Sequence, residues 1–218
     1  QPTGFLGYDR LETVDARIAA ILVEGEAVER IQAGAEATLL LDRTPFYAES
    51  GGQVGDTGFI AAAGAHFDVE DTLKLAGVFH GHVGTLRSGT LQPGDTVSAQ
   101  VDAPRRQAIV LHHSATHLMH AALKRVLGSH VEQRGSLVAP DHLRFDFTHP
   151  RAVTAAELAE VERLVNREIR GNPAADVQVM DFDDALKTGA TALFGEKYGD
   201  RVRVLRFGEF SVELCGVT

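Results

Sequence analysis

The sequence predicts an α+β chain in two parts: a small N-terminal β-barrel or sandwich over residues 1–103, and an α/β domain over residues 104–218. Three observations carry this. Short apolar runs recur in the first half between Gly-rich turns. Two long helical patterns alternate with strand patterns in the second half. Charge is divided the same way: residues 1–104 hold 6 basic and 15 acidic side chains, residues 105–218 hold 15 of each, and the net charge of −9 falls entirely on the first half.

Taking the elements in order, Thr13–Val23, Glu36–Asp42, Phe59–Ala63, His66–Val69, Val78–Leu86 and Thr96–Val101 read as strands. Gly25, Ala33-Gly34 and Pro93-Gly94-Asp95 mark turns between them. One stretch stands apart. Thr44–Gly58 carries four glycines, the aromatics Phe46 and Tyr47, and the run Ser50-Gly51-Gly52-Gln53. It lacks the Gly-Lys-Ser/Thr pattern of a phosphate loop, and no helix of the dinucleotide type follows it. On physical grounds alone it reads as a long structural hairpin.

Asp102 caps a helix with Pro104 just inside its start, running from about Arg105 to Leu127, with Gly128 as the stop. Ile109, His113, Thr116, His117 and His120 fall near one face. Val131–Val138 and Leu143–Phe147 read as strands. Thr154 and Glu157 form a capping box before a second helix with an apolar stripe of Leu158, Val161, Val165 and Ile169, ended by Gly171 and Pro173. Val177–Met180 is a strand, Asp181–Thr188 a short helix, and Val202–Phe207 and Phe210–Cys215 two strands turning at Gly208.

The hydrophobic fraction of 44% supports a folded core. No apolar run reaches membrane-spanning length, so no membrane partner is expected. One cysteine excludes an internal disulfide framework and points to a reducing, cytoplasmic setting. Acidity argues against a polyanion on the first half. The second half offers Arg134, Arg144, Arg151 and Lys197 for basic patches.

His113 and His117 are four residues apart, which on a helix puts both imidazoles on one face, within reach of one ion. Cys215 supplies a third donor of the kind zinc takes. The ordinary alternative is a pair of core or surface histidines and a buried apolar thiol. The His-Glu-x-x-His motif is absent, which disfavours a zinc protease.

Four stretches are specific enough to name a family: Arg43–Gly58, His113–His120, Gln133–Thr148 and Gly189–Thr218, the last with Phe194-Gly195-Glu196-Lys197-Tyr198. In them the chain resembles the editing region of alanyl-tRNA synthetase, which is similar to free-standing AlaX-type deacylases. It is also similar to the threonyl-tRNA synthetase editing domain in its His-x3-His pattern. The resemblance implies a barrel followed by an editing domain of the threonyl/alanyl type. It implies hydrolysis of the ester on mischarged Ser-tRNA and Gly-tRNA specific for alanine. It implies one zinc held by His113, His117 and Cys215, the fourth ligand being the residue after Thr218. Three ligands alone imply weak zinc binding. Val217 departs from the family's Cys-Gly-Gly-Thr-His pattern. Thr116 and Gln133 fall where the family tunes discrimination. Ser50, Gly51, Gly52, Gln53 and Arg134 are implied to meet the tRNA 3′ end. His120 and Glu132 are candidate general bases by position. The remaining domains of a parent synthetase are implied partners. A non-catalytic tRNA- or zinc-binding module is the competing reading.

Overall fold

The computed structural model describes residues 2–191 and 199–217. Lys197 and the Phe194–Tyr198 string lie outside the described residues. The chain divides into two compact units, Gln1–Ala108 and Ile109–Val217, with the boundary inside a helix.

The first unit is a closed barrel. Its six main strands are β1 (Glu12–Val23), β2 (Glu36–Leu41), β3 (Gly58–Ala62), β4 (Ala65–Leu75), β5 (Phe79–Ser88) and β6 (Thr96–Val101). Their order around the barrel is β1-β2-β5-β4-β3-β6, with β6 returning to β1, and every pairing is antiparallel. Closure leaves these six strands without a free edge. β4 runs six residues beyond the sequence expectation. Its second half, Asp71–Leu75, pairs with Phe79–Val83, so a polar composition is carried by the ladder. Alternate residues point inward. Ile18, Ile21, Leu39, Leu41, Ile60, Phe67, Leu86 and Val97 make the core, with Phe46 added from the Gly-rich stretch.

That stretch is a hairpin, as its composition suggested. Ser50 and Gln53 exchange backbone hydrogen bonds of 3.2 and 3.0 Å across Gly51 and Gly52. Both glycines have positive φ, 58° and 83°, the backbone that a two-residue turn of this hand requires. The base of the hairpin is locked by a buried ion pair that sequence reading missed. Arg106 Nε donates to Asp56 Oδ1 at 2.9 Å, and Nη2 donates to Asp56 Oδ2. The same guanidinium donates to the carbonyls of Gly7 at 3.0 Å and Pro45 at 3.2 Å. Asp56 Oδ2 also accepts the Tyr47 N–H at 2.7 Å. Two buried charges are tolerable here because their hydrogen-bonding groups are met.

The helix α1 spans Ala103–Leu127. Asp102 accepts the Arg105 N–H at 3.0 Å, so the cap is as expected and the helix starts two residues earlier. In the second unit β7 (Gln133–Val138) and β8 (Leu143–Phe147) form an antiparallel hairpin. The helix α2 (Ala155–Gly171) opens on the Thr154/Glu157 capping box and closes on Asn172 in the left-handed region. Strand β9 (Ala175–Asp181), a short helix α3 (Phe182–Lys187), β10 (Arg201–Phe207) and β11 (Ser211–Leu214) follow, in an antiparallel sheet of order β9-β10-β11. Leu118, Ala122 and Leu123 of α1, Val161 and Leu164 of α2, and Leu205, Phe207 and Phe210 share one core. The buried stripe of α2 is therefore Val161 and Leu164. Leu158 and Ile169, expected in that stripe, are exposed.

Two predictions follow from the barrel. Arg106→Ala leaves Asp56 charged and buried, so it lowers stability by about 3–5 kcal/mol. Adding Asp56→Asn recovers part of the loss, and urea midpoints of the wild type and the two variants measure it. Burial of His82 holds its pKa down to about 4, against a weaker opposing hydrogen bond with the Leu39 carbonyl. Burial and the nearby Lys74 hold His80 at about 3. Below about pH 6.5 the unfolded chain binds protons on these histidines that the folded barrel refuses, so stability falls as pH drops toward 4. In His82→Gln that fall is shallower by about 3 kcal/mol at pH 4. Parallel stability curves for the two proteins between pH 7 and 4.5 would refute this.

Candidate metal centre

The helix face anticipated from spacing is the one that is buried. Ile109, His113, Thr116, His117 and His120 are all below one-tenth exposed. Cys215 follows β11 directly and is buried in the same unit. Its backbone N–H donates to the Arg203 carbonyl at 2.9 Å, which fixes the chain just past the strand. His117 Nε2 lies 2.9 Å from His113 Nε2, and Cys215 Sγ lies 3.1 Å from the same His113 nitrogen. The three donor atoms all lie within 4.8 Å of one another.

Zinc takes nitrogen at ~2.0–2.1 Å and thiolate sulfur at ~2.3 Å, which places tetrahedral donors ~3.3–3.7 Å apart. The contacts here, 2.9 and 3.1 Å, are a few tenths of an ångström shorter, so small side-chain shifts would let two imidazoles and a thiol take that ion, and their softness does not suit calcium or magnesium.

A fourth residue organises the cluster, and sequence reading missed it. Glu213 is buried on β11, with one carboxylate oxygen 2.5 Å from His117 Nδ1 and the other 2.7 Å from His120 Nδ1. The signal was present in the sequence: a carboxylate two positions before Cys215 in a strand pattern shares its face. Burial disfavours the charged forms of His117, Glu213 and Cys215, but their mutual contacts outweigh it. Hydrogen bonds with Cys215 and Glu213 push His117 up to about 10. His117 and His120 hold Glu213 down to about 2, and His113 and His117 hold the Cys215 thiol down to about 5. The shifts run in opposite directions on neighbouring groups, downward on Glu213 and Cys215 and upward on His117. A metal would take its place on the imidazole by displacing a proton.

The other predicted residues are more dispersed in role. Thr116 Oγ1 donates to the His112 carbonyl at 2.8 Å, the helix back-bond expected of a buried threonine. Gln133 is half-buried on β7 and donates from Nε2 to Ser136 Oγ at 3.1 Å. Ser50, Gly51, Gly52 and Gln53 form the hairpin turn of the first unit, with Gln53 buried. The three described arginines named for basic patches each have an acidic partner. Arg134 pairs with Glu132 at 3.0 Å, Arg144 with Asp146 at 3.1 Å, and Arg151 with Glu157. Each arginine has an acid two to six positions away, so alternation along strands and the capping box draw the charges together. Of the two candidate bases, His120 is committed to Glu213 and Glu132 to Arg134.

The comparisons with known proteins give first a match to a family model. A family model described as tRNA synthetases class II (A) matches residues 1–105, the barrel unit with the opening of α1. They then point to one ligase. The chain is 57% identical over 217 residues to an alanine--tRNA ligase of Stenotrophomonas maltophilia, covering 100% of this chain and 25% of that protein. It is 59% identical to the alanine--tRNA ligase of Bordetella petrii, covering 99% and 25%, and 55% identical to that of Xanthomonas campestris pv. campestris, covering 100% and 25%. The chain is thus strongly homologous along its length to part of alanine--tRNA ligase, and spans about a quarter of the length of the curated relatives it matches. No helix among the described residues is long and apolar enough to cross a membrane.

Proposed function

We propose that this chain is the editing part of an alanine--tRNA ligase, hydrolysing the ester that joins serine or glycine to the tRNA specific for alanine, in the cytoplasm. The observation that supports it best is the convergence of His113, His117 and Cys215 in a homologue of that ligase. The need for such a step is physical. A pocket for alanine cannot exclude the smaller glycine by size, and it discriminates only modestly against an added hydroxyl.

In this reading His113, His117 and Cys215 hold one zinc ion. When bound, it supplies a positive charge that can polarise a carbonyl or lower the pKa of water. Thr116 and Gln133 recognise the serine hydroxyl. Thr116 gives its proton to the His112 carbonyl, so its oxygen is left as an acceptor. Gln133 uses one of its two amide N–H groups on Ser136, which leaves Oε1 as an acceptor and a second N–H as a donor. Ser50, Gly51, Gly52, Gln53 and Arg134 receive the tRNA 3′ end, with the glycine turn allowing close backbone approach. The other partners are the remaining domains of the ligase.

Deacylation of Ser-tRNA specific for alanine, followed with and without added zinc, tests the assignment. Wild-type protein hydrolyses it, and Cys215→Ala loses at least tenfold in rate. No hydrolysis by either protein would leave a non-catalytic module, and equal measurable rates would take Cys215 out of the reaction. A Gly52→Ala variant separates the turn's contribution. Positive φ at Gly52 makes any side chain cost about 1–2 kcal/mol in stability. Deacylation should drop at least tenfold at a temperature where the variant remains folded, and an unchanged rate would remove the turn from the site.

A further inference from the structure

We propose that Glu213 is the positioning residue that sets which nitrogen of His117 faces the metal, and that His120 holds Glu213 in that position. The proposal rests on the metal reading above and extends it to two residues outside the ligand set.

The geometry separates Glu213 from the ligands. Its Oε2 meets Nδ1 of His117, whereas the nitrogen that faces His113 is Nε2. These two nitrogens lie on opposite edges of the imidazole. A carboxylate on the Nδ1 side cannot share the ion on the Nε2 side, so Glu213 is not a fourth ligand. It can only act through the ring. An ionised carboxylate accepts and does not donate, so it requires hydrogen on Nδ1. That leaves the Nε2 lone pair directed at His113 and Cys215, as a metal ligand needs.

His120 completes the arrangement. Its Nδ1 meets the second oxygen, Oε1, so neither carboxylate oxygen is left unmet. His120 lies three residues after His117, one helical turn on, which lets one side chain bridge both rings. Its own Nε2 is buried with no hydrogen-bond partner among the described residues. Its ring packs 5.2 Å from Phe145, so the apolar neighbour holds the ring while Glu213 takes its only bond. Glu213 is fixed from the strand side too. The Leu214 N–H donates to the Thr191 carbonyl at 3.0 Å, and the Thr191 N–H to the Val212 carbonyl at 2.9 Å.

Glutamine at position 213 keeps the size but has one acceptor and one donor. Two Nδ1–H groups then face a single acceptor. Either one contact is lost, or one ring moves its hydrogen to Nε2. On His117 that second arrangement blocks the metal-binding lone pair.

The test measures zinc affinity of this 218-residue chain by competition with a chromophoric chelator, for wild type, Glu213→Gln and His120→Asn. Far-ultraviolet circular dichroism and melting of the zinc-free proteins serve as fold controls, and the cobalt(II) absorption spectrum reports coordination. Glu213→Gln is expected to bind zinc 10–100-fold more weakly with an altered cobalt spectrum. His120→Asn should show a smaller loss in the same direction, both with zinc-free folds like wild type. Wild-type zinc affinity in both variants overturns the proposal while leaving the metal reading intact. Wild-type protein that binds no zinc overturns both. If Glu213→Gln fails to fold, His120→Asn decides alone, and unchanged affinity there counts against the proposal.

Discussion

A buried carboxylate between two histidines is the constraint on which the second unit turns. Taking Glu213 out of water costs several kcal/mol unless both oxygens are met. Among the described residues, His117 and His120 of α1 offer two ring nitrogens one turn apart that meet it. Once β11 is laid so that Glu213 meets His117 and His120, the register of the strand against the helix is fixed. Cys215 then has little freedom, since it follows Glu213 by two residues and its own N–H is tied to Arg203. The cluster of His113, His117 and Cys215 is a consequence of that register as much as of the three residues themselves.

The first unit uses the same device for a different purpose. Arg106 and Asp56 are buried together, and the guanidinium reaches two backbone carbonyls that belong to separate segments, at Gly7 and Pro45. A long irregular stretch such as Pro45–Gly55 has few ladder bonds of its own. Here it is closed at its base by the ion pair and by Thr72, whose hydroxyl donates to the Asp56 carbonyl and whose own carbonyl accepts the Glu49 N–H. The glycine turn at its tip is thus presented by a rigid base. Electrostatic cost is offset by many specific hydrogen bonds in both units, so each buried charge selects one arrangement over its neighbours.

The pairing of the arginines shows how misleading a count of charges can be. Residues 105–218 are neutral overall and rich in arginine, which invites a basic surface for a polyanion. In the fold Arg134, Arg144, Arg151, Arg163 and Arg167 each sit against a carboxylate close in sequence. Exposed pairs of this kind add little stability, but they remove the local excess of positive charge.

Most elements were legible because each rests on local chemistry. Alternating apolar residues gave the six barrel strands, and Thr154 with Glu157 gave the start of α2 to the residue. The His113/His117 pair was legible because four residues make one turn wherever a helix forms. Local pattern left barrel and sandwich both open, and closure was decided by the pairing of β6 with β1, which joins residues some eighty positions apart. The two buried ionic clusters were not legible. Asp56 and Arg106 are fifty positions apart, and His117 and Glu213 nearly one hundred, so their charges read as solvent-facing until the chain is folded. Sequence by itself determined which residues could be helix, strand, cap and ligand. Tertiary structure alone decided which buried charges meet, because desolvation is set by neighbours that only long-range packing supplies.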